Sequence, residues 1–160
     1  MMGAVISGTG VAWDGSSWFH DTDGIDAIAG FETFGTYAEW AQQVIGNADA
    51  DADPDADGML NRLEYYLGGN PNLDDAATVL PANSLSGDVL EYVYNRRRDA
   101  ALRGLAYDLK ETDSLTNGWS TVDYEAGSGT VDLYYESVTN EIPTTGKNQG
   151  FYQLEISDIE

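Results

Sequence analysis

A twelve-residue acidic segment carries the strongest chemical signal in the sequence. It runs from residue 53 to 64, and its first, third, fifth, ninth and twelfth positions hold oxygen-bearing side chains: Asp53, Asp55, Asp57, Asn61 and Glu64. Calcium takes about six to eight oxygen ligands, and this spacing brings the side chains to one point when the chain curls. Glycine at position 58 allows the sharp turn that the curl requires. We therefore predict a calcium site formed by Asp53, Asp55, Asp57, the backbone carbonyl of Met59, Asn61 and Glu64.

The acidic pattern continues upstream of this loop, where Asn47, Asp49 and Asp51 alternate with alanine. Two interpretations of these three residues stay open: they bind a second ion, or they are exposed and strengthen the negative field at the loop. The loop itself has an alternative, a solvated acidic turn that only caps the next helix, since Asp and Asn are common at helix starts. The glycine and the final glutamate at their fixed positions favour calcium.

Two helical patterns flank the loop and must hold its ends. Apolar residues recur at spacings of three and four over residues 34–45, which predicts an amphipathic helix that ends at Gly46. The same spacing over residues 60–67 predicts a second, shorter helix, which ends at the run Gly68-Gly69-Asn70-Pro71. We expect Leu60 to anchor the loop to the core.

The rest of the chain has the two-residue period of β-strands. Apolar and polar residues alternate in four segments: Leu90–Tyr94, Leu105–Leu109, Val131–Tyr135 and Tyr152–Ile156. Residues 70–87 are interpreted as a turn-rich linker, and 117–118 and 127–129 as turns. The sequence therefore predicts a mainly β protein with a small α unit. A helix–calcium loop–helix precedes an antiparallel β-sandwich of the immunoglobulin or fibronectin III kind.

Composition divides the chain into three predicted parts. Residues 1–30 form an extended segment rich in Gly, Ser and Asp, residues 31–72 the helix–calcium loop–helix unit, and residues 73–160 the β-sandwich. The first segment contains short apolar pairs among glycines, as strands do. Two roles for it stay open: it donates a strand to the open sheet of a neighbouring copy, or it pairs within its own chain.

Charge and composition exclude several functional classes. Seven Lys and Arg against 28 Asp and Glu give a formal net charge of −21 in 160 residues, and such a chain repels nucleic-acid phosphates. The sequence has no cysteine, and its one histidine, His20, has no recognisable nucleophile motif beside it. No apolar run reaches the roughly 18 residues of a membrane span. We therefore expect a protein that is not an enzyme, does not bind nucleic acid and does not span a membrane.

Three of the seven basic residues are consecutive, at positions 96, 97 and 98. An arginine cluster at the end of a tyrosine-rich strand can form a socket for acidic groups, either an anionic glycan or the acidic face of another copy of this chain. The alternative is that the three arginines pair with local acids such as Asp99. The sequence leaves both open.

The stretch from Asp49 to Pro71 resembles a module that recurs near the C-termini of large secreted and surface proteins of aquatic bacteria. In that module an acidic loop leads into an N-x-x-E-Y helix and then a G-x-x-P stop, and the sequence up to about Ser157 is similar to its β-sandwich. The loop alone also resembles EF-hand, dockerin and thrombospondin type 3 calcium loops, although dockerins carry two loops and this chain has one complete copy. The resemblance implies an extracellular, calcium-binding, non-catalytic module.

Two functions are expected from these observations. The first is an extracellular or cell-surface calcium-binding structural protein, a subunit of a self-assembling fibre or surface layer that is joined by exchange of the N-terminal strand. Its partners are other copies of itself, and its cofactor is calcium, which is abundant outside cells. The alternative is a monomeric carbohydrate-binding or anchoring module of a larger secreted protein, in which Trp and Tyr side chains stack on sugars.

Overall fold

The structure, a computed structural model, describes residues 11–13, 18–20, 36–46 and 49–158. The chain divides into two compact units, residues 1–35 and 36–160. In the first unit, β1 (Val11–Trp13) pairs antiparallel with β2 (Trp18–His20), and Trp13 lies opposite Trp18. The predicted extended segment over residues 1–30 thus contains a hairpin within the chain. The rest of that segment lies outside the described residues.

The described part of the second unit contains three α-helices: α1 (Tyr37–Val44), α2 (Asn61–Leu67) and α3 (Ala76–Val79). The start of α1 is fixed by a capping box, in which the Thr36 hydroxyl accepts the Glu39 N–H and the Glu39 carboxylate accepts the Thr36 N–H. α2 ends at Gly68, whose φ of 88° is left-handed and favours glycine. The first two helices agree with the predicted ones to within a few residues.

Seven strands of the described chain form two antiparallel sheets in this unit. The first sheet contains β3 (Ala82–Ser86), β4 (Val89–Arg97), β7 (Glu125–Thr130) and β8 (Tyr135–Pro143), in the order β3-β4-β8-β7. The second contains β5 (Leu105–Thr112), β6 (Ser120–Val122) and β9 (Phe151–Asp158), in the order β6-β5-β9, and a short 3₁₀ helix (Ala100–Arg103) joins the two sheets. The predicted mainly β fold with a small α unit is confirmed.

Side chains from both sheets meet between them. The rings of Tyr94 on β4 and Tyr107 on β5 are stacked, with centroids 6.3 Å apart. Aliphatic side chains from both sheets are buried around this contact: Leu105, Leu109, Val138 and Ile142. The sheets therefore pack face to face as a sandwich.

The prediction of a turn-rich linker over residues 70–87 is wrong, because this stretch contains α3 and β3. Ala76 and Val79 of α3 are buried in a core cluster with Met59 and Leu67. β3 shows no apolar alternation and is exposed along its whole length. It is held by backbone pairing with β4 rather than by burial, so periodicity could not identify it.

Two predicted boundaries in the sandwich are also wrong. The segment Val131–Leu133 was predicted as strand, but it is an exposed turn and β8 begins at Tyr135. The Asp132 carboxylate accepts the N–H groups of Tyr134 and Tyr135, which is how aspartate stabilises a turn. Residues 127–129 were predicted as a turn but belong to β7, a sheet-edge strand with a bulge between Glu125 and Gly127.

The buried Arg97 joins α2 to the first sheet. Its side chain is 4% exposed, and its guanidinium lies 4.5 Å from the ring centroid of Tyr65 and 5.3 Å from that of Tyr135. It donates to the Tyr135 hydroxyl and to the Tyr65 carbonyl, while Asp99 balances its charge at 2.9 Å. Arg96 pairs with two glutamates of β7 and β8. Arg96 and Arg97 are therefore both paired with local acids.

We expect Arg97→Lys to lower the free energy of unfolding by about 2 kcal/mol, because an ammonium group cannot lie flat against two rings while it donates in several directions. Urea denaturation followed by circular dichroism measures this loss. The matched control is Arg98→Lys, which alters an exposed side chain and should change the free energy of unfolding by less than about 0.5 kcal/mol. Equal effects of the two substitutions would contradict the assigned role of Arg97.

Candidate metal centre

Three aspartate side chains hold the acidic loop in its curled shape by accepting hydrogen bonds from backbone N–H groups of the loop. The Gly58 N–H donates to Asp53 at 3.1 Å, the Asp57 N–H to Asp55 at 3.3 Å, and the Met59 N–H to Asp57 at 2.8 Å. These bonds turn the chain about one centre, and one carboxylate oxygen from each of the three aspartates lies within 4.8 Å of the others. Oxygens at about 2.3 to 2.6 Å from a shared calcium ion have this separation.

The backbone of the loop is bent sharply at two positions. Gly58 has a φ of 95° and Ala56 a φ of 63°, and Ala56 is the one non-glycine residue with positive φ in the described part of the chain. A left-handed conformation costs a residue with a Cβ about 1 kcal/mol or more. Such strain persists where the surrounding structure holds it, as it does at functional sites.

The two ends of the loop are tied together at the start of α2. The Asn61 N–H donates to the Ala52 carbonyl at 2.9 Å, and the Arg62 N–H donates to the Ala50 carbonyl at 3.2 Å. The first turn of a helix has N–H groups without partners inside the helix, and here carbonyls just before the loop satisfy two of them. This closure directs the side chains of Asn61 and Glu64 into the fold.

Glu64 and Asn61 are the fully buried polar residues of the candidate site. Both are 0% exposed. The Asn61 amide donates to the Asp49 carbonyl at 2.7 Å, but its oxygen and both carboxylate oxygens of Glu64 are buried without a hydrogen-bond partner among the described residues. An ionised carboxylate in that position is costly unless a cation neutralises it.

Neighbouring acids add to this cost. Burial, followed by the negative charges of Asp55, Asp57, Asp75 and Asp53, raises the pKa of Glu64 to about 7. The opposite holds for Asp57, whose pKa is lowered chiefly by the N–H of Met59 and further by those of Ala76 and Asp75. The site therefore combines a stabilised carboxylate, Asp57, with one that no donor of the described residues stabilises, Glu64, and this arrangement favours a bound cation.

The predicted ligands occupy two overlapping groups. Asp53, Asp55 and Asp57 form the first, and Asp57 and Glu64 belong to the second together with Asp75. Asn61 lies in the same first turn of α2 as Glu64. Met59 donates its N–H to Asp57 and has a fully buried side chain, so Met59, and not Leu60 as expected, anchors the loop to the core.

The carboxylates of the upstream acids Asp49 and Asp51 belong to neither of these two groups. Asp51 is exposed and pairs with Arg62, and its N–H donates to the Asp49 carboxylate at 3.1 Å. These contacts favour the interpretation of exposed acids that strengthen the local field. Asn47 lies outside the described residues.

Sequence reasoning missed the proximity of Asp75. It lies eleven residues beyond Glu64, in the stretch that was interpreted as a linker, and no loop spacing relates it to the acidic motif. The one local signal is an aspartate placed directly before a short run of helix-forming and apolar residues, which is typical of a helix start. Asp75 could be placed beside the acidic loop only with a prediction of the short helix α3.

No family model matches the sequence, and a comparison with curated proteins gives no match. Among the described residues, no helix combines the length and the apolar character that a membrane crossing requires.

In the presence of a chelator, we expect Glu64→Gln to raise the free energy of unfolding at pH 8, because it removes a buried charge that no donor stabilises. The advantage of the variant over the wild type should grow as pH rises from about 4.5 to about 7. Over that range the wild-type folded state retains a proton that the unfolded state releases, so its stability falls with rising pH. Thermal unfolding at a series of pH values measures the difference.

The control for this prediction is Glu91→Gln, which makes the same change at an exposed position of β4. It should leave the pH dependence of stability as in the wild type. If Glu64→Gln were instead less stable than the wild type in chelator at pH 8, a donor would have to stabilise the Glu64 carboxylate, and the description of the site would be wrong.

Proposed function

We propose that this protein is an extracellular calcium-binding structural protein, a subunit of a self-assembling fibre or surface layer. The main support for a calcium site is the environment of the Glu64 carboxylate. This carboxylate is fully buried, neither oxygen has a hydrogen-bond donor among the described residues, and the negative charges of four aspartates act on it. A divalent cation supplies the positive charge that these groups need.

The chemistry of the donor atoms favours calcium over other metals. The candidate ligands are carboxylate, amide and carbonyl oxygens, and the sequence has no cysteine that would select zinc or copper. Magnesium demands near-ideal octahedral geometry and retains several waters, whereas calcium accepts many protein oxygens in a flexible arrangement. A curled loop of oxygen ligands suits calcium, and the calcium concentrations found outside cells would fill a site of modest affinity.

The edge of the first sheet supports assembly. β3 is the outermost strand of that sheet in the described chain, and none of its five residues is charged. Exposed sheet edges are usually protected by charge or proline, because an unprotected edge pairs with strands of other molecules. Leu85 on this strand is 68% exposed. In a chain with 28 acidic residues, an uncharged edge is a suitable acceptor for an added strand.

The N-terminal segment is the strand donor in this proposal. Residues 1–10, which precede β1, contain no charged side chain, so they can approach an acidic molecule without like-charge repulsion. The segment has enough residues to pair along all of β3. Donation of this segment to β3 of the next copy gives a head-to-tail interface, and repetition of that interface gives a fibre or layer.

Calcium should stabilise the folded protein against heat. A ligand that binds only the folded state stabilises it by RT ln(1 + [L]/Kd), about 2.7 kcal/mol at one hundred times Kd. We expect millimolar calcium to raise the midpoint of thermal unfolding, excess EGTA to reverse the rise, and Glu64→Gln to show no rise. The same midpoint for the wild type with calcium and with EGTA would refute the calcium site.

Light scattering tests assembly. In calcium we expect masses well above that of one chain, and Leu85→Lys should reduce them to the monomer because it places a charge on the accepting edge. Leu102→Lys is the control, since Leu102 is 89% exposed in the 3₁₀ helix, away from that edge. A monomeric wild type in every condition would refute assembly and direct the search to polysaccharide ligands.

A further inference from the structure

Asp75 is held beside the acidic loop by backbone hydrogen bonds. The N–H groups of Asp75 and Ala76 donate to one oxygen of Asp57 at 3.0 and 2.7 Å. One carboxylate oxygen of Asp75, Oδ2, accepts the Asn70 N–H at 3.1 Å. The other oxygen, Oδ1, is buried without a hydrogen-bond partner among the described residues. The start of α3 is thus fixed to the loop. One carboxylate oxygen of Asp75, Oδ1, has no hydrogen-bond donor among the described residues.

The carboxylate of Asp75 lies close to that of Glu64. One oxygen each of Asp57, Glu64 and Asp75 lies within 4.8 Å of the other two. Gly69 makes this approach possible, because a Cβ at that position would lie 3.2 Å from both Asp75 Oδ1 and Glu64 Cγ. Glu64 is fully buried, and both of its oxygens also lack a partner in the described chain. Buried carboxylate oxygens of Glu64 and Asp75 that lack a partner in the described chain therefore lie close together beside Asp57.

We propose that Asp75 is a calcium ligand from outside the twelve-residue loop, so that the ion binds the loop and the start of α3 together. The proposal rests on the calcium site proposed above and extends it to a residue that the loop pattern does not contain. Carboxylates brought this close repel each other unless they share a cation, and a carboxylate oxygen is the type of ligand that calcium prefers.

A ligand in this position couples the ion to the sandwich. α3 ends at Val79, which is buried with Met59 and Leu67, and β3 begins three residues later. The core-facing residues Leu154 and Ile156 of β9 pack against the same cluster. An ion that holds Asp75 therefore restrains the segment that leads into the first strand of the sandwich, in addition to the loop itself.

The test compares two adjacent aspartates in the full chain. Asp75→Asn removes the charge but keeps an oxygen that can accept the Asn70 N–H, while Asp74→Asn makes the same change at an exposed position. Isothermal titration with calcium should show an affinity at least about ten-fold lower for Asp75→Asn. For Asp74→Asn the affinity should stay within about three-fold of the wild type, because only long-range charge is lost.

Unfolding in EGTA supplies a readout that a purely structural role for Asp75 would not give. As a ligand, Asp75 repels Glu64 when no ion is bound, so Asp75→Asn should melt at a higher temperature than the wild type in EGTA and gain less from calcium. A lower melting temperature in EGTA would indicate a structural role and overturn the proposal. Gly69→Ala is a second variant, in which the added Cβ separates the two carboxylates and should weaken calcium binding without altering a ligand.

Failure of this inference is distinguishable from failure of the calcium site. If the wild type and Asp75→Asn bind calcium equally well, Asp75 is not a ligand and the site within the loop stands. If the wild type binds no calcium, both proposals fall.

Discussion

The repulsion among closely spaced carboxylates is the constraint on which the helical unit depends. Hydrogen bonds within the loop hold Asp53, Asp55 and Asp57 in place, and the start of α2 carries Glu64 into a buried position beside them. No backbone donor relieves Glu64 in the described chain. The fold thus holds negative charge together at a fixed geometry, and a cation of matching size can lower the free energy of the whole unit.

The short helix α2 contacts the acidic loop through its first turn and both sheets of the sandwich through its last turn. The carbonyls in the last turn of a helix lack partners within it. In α2 the Tyr65 carbonyl accepts the Tyr135 hydroxyl at 2.7 Å, and the Tyr66 carbonyl accepts the Tyr107 hydroxyl at 2.7 Å. These donors come from β8 and β5, one strand from each sheet. A displacement of α2 at the metal centre would therefore disturb contacts with both sheets.

The sequence predicted those features that depend on residues close together in the chain. The acidic loop was identifiable because its oxygen-bearing side chains recur at fixed spacing, and α1, α2, β4, β5 and β9 show clear periodicity. β3 and β7 could not be identified in this way, because they are exposed edge strands held by pairing with a neighbour. Asp75 and Arg97 depend on contacts between segments far apart in the sequence. Their positions follow from tertiary packing, which no local pattern encodes.

The arrangement of the ion pairs has a consequence for the medium around the molecule. All seven basic residues lie in the described part of the chain, and six of them pair with acids of the same chain. The sequence holds 28 acidic side chains against seven basic ones, so mobile cations must gather around the molecule to balance the charge. Many such molecules packed side by side would behave as a cation-exchange gel, which enriches calcium and sodium within it and excludes dissolved anions.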